Sequence, residues 1–219
     1  MKKSYNMIKE YGETFFIERK SRFISYTMPV YTEEEATSFL NKIRKKHYDA
    51  THNCYAYILG ENSNIQRSSD DGEPSGTAGV PILEVLKKEN LTNTIVIVTR
   101  YFGGIMLGAG GLIRAYTEGA VRAVNTAGVV EVKPFLIYII NTDYSNLGKI
   151  QYESSNNNYI IKDIKYTDSV TITMLIPCDQ KEHLLDNLNN WTLGEASINY
   201  VNVEMIKINK DTKKPIESK

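Results

Sequence analysis

Two glycine-rich strings hold most of the side chains in this chain that could act on a substrate or hold a charged ligand. The first, SSDDGEPSGTAGVP over residues 68–81, sets the carboxylates Asp70, Asp71 and Glu73 among Gly72, Gly76 and Gly79. Exposed N–H groups at a helix start attract anions, with about 0.3–1 kcal/mol per charge from the dipole at a surface, and the hydroxyls of Ser75 and Thr77 add donors. The three carboxylates oppose a bound phosphate unless a cation such as Mg²⁺ intervenes. In an extended stretch Asp70 and Asp71 would point to opposite sides, so their adjacency does not by itself establish a carboxylate pair. From residue types alone the preferred reading is conformational: residues 70–72 turn the chain, and Ser75 or Thr77 caps the helix that follows.

The second string, VTRYFGGIMLGAGGLIRAY over residues 98–116, runs from a buried strand ending in Arg100 through Gly103, Gly104, Gly108, Gly110 and Gly111 into a helix. Strand, glycine loop and helix is the layout of many phosphate sites. The specific nucleotide fingerprints are missing: there is no G-K-[ST], and Ile113 stands where a dinucleotide site needs glycine. Val96, Val98, Arg100 and Phe102 share one side of the strand, so Arg100 beside Phe102 could hold a phosphate next to a stacked base, with Tyr101 adjacent and Arg114 in the first turns of the helix. A second reading stays open, in which the glycines permit close packing and Arg100 pairs with a nearby carboxylate.

Other chemistries are less well supported. His52 and Cys54 share a strand face, but His47, His183 and Cys178 are not spaced to complete a four-ligand zinc site. The segment Gly72-Glu73-Pro74-Ser75-Gly76 places serine one position too late for a nucleophile elbow. Cys54 reads as a buried cysteine. No cofactor is expected, and Mg²⁺ enters only if the first string is catalytic.

The elements that must position these strings follow from periodicity. A strand is predicted at 23–27, a helix from Ala36 with Phe39, Leu40 and Ile43 on its apolar face behind Glu33, Glu34 and Glu35, and a hairpin of strands at 52–59 and 65–69. A helix begins near Ala78, with Pro81 in its first turn and Ile82, Val85 and Leu86 buried. The strand at 94–100 and the helix at 111–127 complete a first domain, 1–133. After Pro134 the order is strand 135–141, helix 144–156, strand 159–166, strand 170–177, helix 179–190 and strand 197–205, the βαββαβ plan of a ferredoxin-like domain over 134–206. Residues 207–219 carry five lysines and read as a flexible tail.

Composition bounds the function. With 219 residues, 42% hydrophobic and 24% charged, the chain is neither disordered nor fibrous. Basic and acidic residues balance at 26 each, so any nucleic-acid or membrane contact needs a local patch. The first 133 residues carry a net charge of +2 and all seven arginines, the rest −2, so a polyanion site is sought in the first domain. Two widely separated cysteines, Cys54 and Cys178, predict no disulfide and fit a reducing compartment. No apolar run of about 18 residues and no leader-like segment occurs, so the expected setting is the cytoplasm without membrane insertion.

The string DDGEPSGTAG followed by TRYFGGIMLGAGGLIRAY, supported by Ala50-Thr51-His52-Asn53-Cys54-Tyr55-Ala56-Tyr57, closely resembles the IMPACT family in its bacterial YigZ-like branch, over roughly residues 21–123. The resemblance implies an α+β fold, with a first domain like the second domain of a small-subunit ribosomal protein and a second similar to the last domain of elongation factor G. Eukaryotic relatives regulate translation under amino-acid starvation through an additional domain for which this chain has no room. The expectation is therefore a non-enzymatic, translation-linked protein touching RNA or the ribosome. The anion contacts would come from Gly72, Ser75, Gly76, Thr77, Arg100, Tyr101, Phe102, Gly103, Gly104, Gly108, Gly110, Gly111 and Arg114. The alternative is an enzyme of hydrolase or phosphoryl-transfer type acting on a small anion, with Asp70, Asp71 or Glu73 as general base or metal carboxylates. Sequence does not set the oligomeric state.

Overall fold

The structure is a computed structural model that describes residues 3–157, 159–210, 212 and 214–216. Its described residues form a mixed α+β molecule with five α-helices and two antiparallel sheets, divided into units at Met1–Glu131 and Val132–Lys219.

The first unit contains β1 (Tyr5–Ile8), β2 (Gly12–Glu18), β3 (Ser21–Pro29), α1 (Glu33–Lys46), β4 (His52–Leu59), β5 (Ile65–Ser69), α2 (Gly79–Lys88), β6 (Thr94–Tyr101) and α3 (Ala109–Ala127). Its sheet has the order β2-β3-β6-β4-β5. Period-two alternation divides the core between the two faces. Phe23, Cys54, Ala56, Ile58, Val96 and Val98 meet α2 and α3, while Tyr26, Tyr57, Leu59, Ile95 and Ile97 meet α1. A sheet clad on both sides leaves β6 buried nearly throughout, which is why 94–100 reads so strongly as a strand. The sequence places no strand before Phe23. β2 escapes notice because two of its three large apolar residues, Phe15 and Ile17, point to solvent while only Phe16 packs inward.

α1 starts three residues before Ala36, taking the glutamates into its first turn. Thr32 Oγ1 accepts the Glu35 N–H at 3.2 Å, and the Glu35 carboxylate returns to the Tyr31 N–H at 2.7 Å. Arg44, Lys45 and Lys46 fill the last turn, so both ends match the helix dipole.

The second unit continues from β7 (Val129–Thr142) through α4 (Tyr144–Asn156), β8 (Ile160–Tyr166), β9 (Val170–Pro177), α5 (Lys181–Trp191) and β10 (Ser197–Asn209), with strand order β8-β9-β7-β10. Ile140, Ile172, Met174 and Ile176 alternate onto the helix side, against Ile150, Leu184, Leu188 and Trp191. The tail reading changes at its start: β10 extends to Asn209, and Ile216 N–H donates to the Lys207 carbonyl at 2.8 Å, so part of 207–216 folds back on the strand. Residues 211, 213 and 217–219 of that tail lie outside the described residues.

Leu86 is fully buried between α2 and the sheet. Leu86→Ala is expected to lower stability by about 2–5 kcal/mol, seen as a lower urea midpoint at unchanged slope.

Candidate functional site

The first string links β5 to α2, and its three acidic side chains take three different jobs. Asp70 reaches forward to the start of α2: Oδ1 accepts the N–H groups of Ala78 and Gly79 at 2.9 and 2.8 Å, and Oδ2 accepts that of Gly76 at 2.9 Å. Neither Ser75 nor Thr77 caps the helix. Ser75 is exposed, and Thr77 Oγ1 donates to the Pro74 carbonyl at 2.7 Å. Burial raises the Asp70 pKa, but the three N–H bonds outweigh it and hold the carboxyl below its ordinary 3.8. The anion position at the α2 terminus is thus taken by the protein's own carboxylate. Gly79 is required there, because a Cβ would stand 2.7 Å from the Ser69 backbone.

Asp71, at φ 44°, turns the other way. Its carboxylate accepts Arg44 Nη2 and the Asn53 N–H, both at 2.7 Å, while its carbonyl accepts His52 Nδ1 at 2.8 Å. Because a carbonyl only accepts, the His52 proton sits on Nδ1. Asp71 therefore stitches the start of the string to β4 through both its carboxylate and its carbonyl, and Asp70 and Asp71 form no pair.

Glu73 goes inward. Its Oε1 accepts Arg100 Nη1 and the Tyr116 hydroxyl, each at 2.7 Å, and its Oε2 lies 3.8 Å from His52 Nε2. The side chains of Arg100 and Glu73 are only 6% and 3% exposed. β-Sheet register explains the meeting: Arg100 stands directly between Phe23 on β3 and His52 on β4, all facing α3. Arg100 Nη2 adds Ser21 Oγ at 3.2 Å, its guanidinium lies between the rings of Phe23 and Phe102 at 5.5 and 5.6 Å, and among the described residues its Nε has no hydrogen-bond partner. Of the two readings of Arg100, the structure shows the carboxylate pair. Burial pushes the Tyr116 hydroxyl and the Cys54 thiol up, and the thiol donates to the Asp70 carbonyl at 2.9 Å, so Cys54 is held as a thiol and not as a nucleophilic thiolate. His52, Tyr116 and Ser21 also belong to this cluster, and motif alone does not single them out; strand register places His52 opposite Arg100, and the packing of α3 on the sheet brings in Tyr116, neither of which a single sequence displays.

The second string lies partly outside this cluster. Tyr101 is on the opposite sheet face from Arg100, its hydroxyl donating to Asp49 at 3.0 Å and lying 2.9 Å from His47 Nδ1. Phe102 stays half-exposed over Arg100, its N–H donating to Thr51 Oγ1 at 3.1 Å. Gly103 presses against the β2–β3 turn, where a Cβ would come within 2.0 Å of the Lys20 carbonyl carbon, while Gly104, Gly108 and Gly110 are exposed. α3 begins at Gly108 with no side-chain cap and no acidic residue in its first turn. Gly111 packs on Leu107, and the exposed Arg114 folds back toward Gly110, its Nη1 at 3.9 Å from where a Cβ would sit. One glycine string is therefore closed by carboxylates, and the other leaves an open helix start with a solvent-facing arginine.

These features define a two-unit α+β protein whose first unit carries an internal ion-pair clamp beneath an exposed glycine rim. The Impact N-terminal domain matches residues 19–124, and a domain of unknown function, DUF1949, matches residues 140–195. The chain is 47% identical to the IMPACT family member YvyE of Bacillus subtilis, over 89% of this chain and 90% of that protein, and 32% identical to YigZ of Escherichia coli, over 82% and 89%. Protein IMPACT of Oryctolagus cuniculus is 38% identical over 42% of this chain and 30% of its own length. A solved structure titled as a hypothetical protein superposes with a TM-score of 0.59 at 28% identity, covering 92% of this chain and 99% of that one. The chain belongs to the IMPACT family.

Glu73→Gln leaves the Arg100 charge buried without its counterion and is expected to cost about 3–5 kcal/mol in urea unfolding. Asp70 has a depressed folded pKa, so its contribution is present above the unfolded carboxyl value and is lost as pH falls through the folded one. The stability gap between wild type and Asp70→Asn, measured by urea unfolding across pH, is accordingly expected to be full near pH 7, at about 1 kcal/mol, and to shrink steadily below pH 4.

Proposed function

We propose that this chain is a translation-linked regulatory protein of the cytoplasm that binds RNA, free or within the ribosome, through the open rim of the second glycine string. The observation that carries the reading is the contrast between two helix starts. α2 is neutralised by Asp70, whereas α3 offers its uncapped N-terminus beside the exposed Arg114, the exposed glycines 104, 108 and 110, and the half-exposed ring of Phe102. A phosphate meets favourable dipole and guanidinium there, and a base has Phe102 to stack on.

Family membership supports a regulatory role, and the translation link rests on what the family resemblance implies. The βαββαβ order of the second unit fits the ferredoxin-like reading and its likeness to the last domain of elongation factor G, and the first unit's clad sheet is compatible with the ribosomal-protein likeness. Arg100 enters this proposal as the residue that seats Phe102 and the loop, not as a phosphate ligand. An enzyme using Asp70, Asp71 or Glu73 finds less support, since each of these carboxylates is already bound by N–H, guanidinium or hydroxyl donors.

Arg114→Ala is expected to keep the folded structure and to weaken binding of a labelled RNA about tenfold, flattening the slope of log K against log salt by about one. Fluorescence anisotropy over a salt series measures both. Unchanged affinity and slope would overturn the rim assignment, and no wild-type binding at low salt would overturn the RNA reading.

A further inference from the structure

β2 and β3 pair from Gly12 with Thr27 to Glu18 with Ser21, which leaves only Arg19 and Lys20 to make the turn. Their φ values are 44° and 65°. Two-residue hairpin turns with both φ positive favour Asn-Gly or Gly-Gly, and side chains with a Cβ are strained there. Strain of this kind persists where the surroundings enforce it and points to a use for the side chains. The surroundings do enforce it: Gly103 is wedged against the Lys20 carbonyl and donates its N–H to Ser21 Oγ at 3.3 Å. Yet both side chains project into solvent, with no packing role that would explain a cation at either position. Arg19 Nε lies 3.9 Å from Glu18 Oε1, both side chains exposed.

The sheet face beside this turn is also open. Register places Ile17, Arg22 and Tyr101 in one transverse row and Phe15, Ile24 and Thr99 in the next, all on the α1 side. α1 covers the centre of the sheet and leaves Phe15 and Ile17 each 64% exposed. Arg22 lies over the Tyr101 ring at 4.6 Å. The acids of this face are engaged, Glu13 by Lys46 and Tyr11, and Asp49 by Tyr101.

We infer that the tip and outer face of the β2–β3 hairpin contact single-stranded RNA, with Arg19, Lys20 and Arg22 on phosphates and Phe15 on an unpaired base. An aromatic ring flanked by a row of cations matches the alternation of stacked bases and charged backbone. The inference rests on the RNA-binding reading above but uses residues outside the α3 rim.

The test uses the full chain, a labelled 12-nucleotide oligouridine and an RNA duplex of the same length, in fluorescence anisotropy over a salt series with thermal unfolding in parallel. Arg19→Asn/Lys20→Gly installs a relaxed turn. It is expected to melt about 2–4 °C higher than wild type, bind oligouridine at least tenfold more weakly, and lose about two from the salt slope. Arg19→Gln/Lys20→Gln, which keeps the strained turn and removes only charge, is expected to lose binding equally. Phe15→Thr is expected to weaken oligouridine and leave the duplex unaffected. Wild-type affinity in either turn double variant overturns the inference, as does a relaxed-turn variant less stable than wild type. Loss in Arg114→Ala alone, with both turn variants unchanged, overturns it while sparing the rim. No binding by the wild type overturns both. A concentration-dependent dimer abolished by Phe15→Thr would assign the face to a second copy of this chain and overturn the inference.

Discussion

The buried hydrogen bond between Glu73 and Arg100 organises one end of the first unit. Four segments converge on it: the β5–α2 string through Glu73, β6 through Arg100, α3 through Tyr116 and β3 through Ser21. Removing two charges from water costs nearly what their attraction returns, so such a pair contributes little net stability and acts instead on position. Its partners allow few alternatives. A shift of β6 by one residue would carry Arg100 to the α1 face and leave the buried Glu73 carboxylate without its guanidinium, with only Tyr116 and His52 beside it. The clamp thus fixes sheet register, the path of the acidic string and the departure point of the glycine loop in one contact.

With the interior acids and Arg100 occupied, the charges available to a partner are those on the surface. Arg114 at the start of α3, and Arg19, Lys20 and Arg22 on the β2–β3 hairpin, are exposed, and Gly103 ties the hairpin turn to the glycine loop. The chain as a whole has no net charge, so on the proposed reading attraction for a polyanion has to come from a local patch, and these residues are the candidate. The two motif strings therefore play unequal parts. The acidic string builds the support, and the loop leading into α3 carries the proposed contact surface.

Much of the architecture was legible because buried elements carry strong periodicity. Helices with stripes such as Leu112, Tyr116, Ala120 and Val124, and the apolar run of β6, announced themselves. β2 did not, since its large residues Phe15 and Ile17 face solvent, and edge strands lack the alternation that burial imposes. At the site, residue types drew attention to the two strings but did not show how the work is divided within them. Capping fell to Asp70, because its side chain reaches the N–H donors of Gly76, Ala78 and Gly79 across the loop, a geometry that local spacing from Ser75 or Thr77 does not reveal. The choice between ligand and ion pair for Arg100 depended on which strands flank β6. The role of His52 depended on the same register, that of Tyr116 on how α3 packs on the sheet, and the strained Arg19–Lys20 turn on the length of a strand the sequence did not show.

Photocrosslinking tests the central claim most directly: oligoribonucleotides carrying 4-thiouridine, bound to the full chain, with the crosslinked peptides located by mass spectrometry. The account predicts crosslinks in the peptides spanning 15–22 and 102–114, centred on the hairpin and the α3 rim. Crosslinks confined to residues 132–216 from an RNA that binds would contradict it.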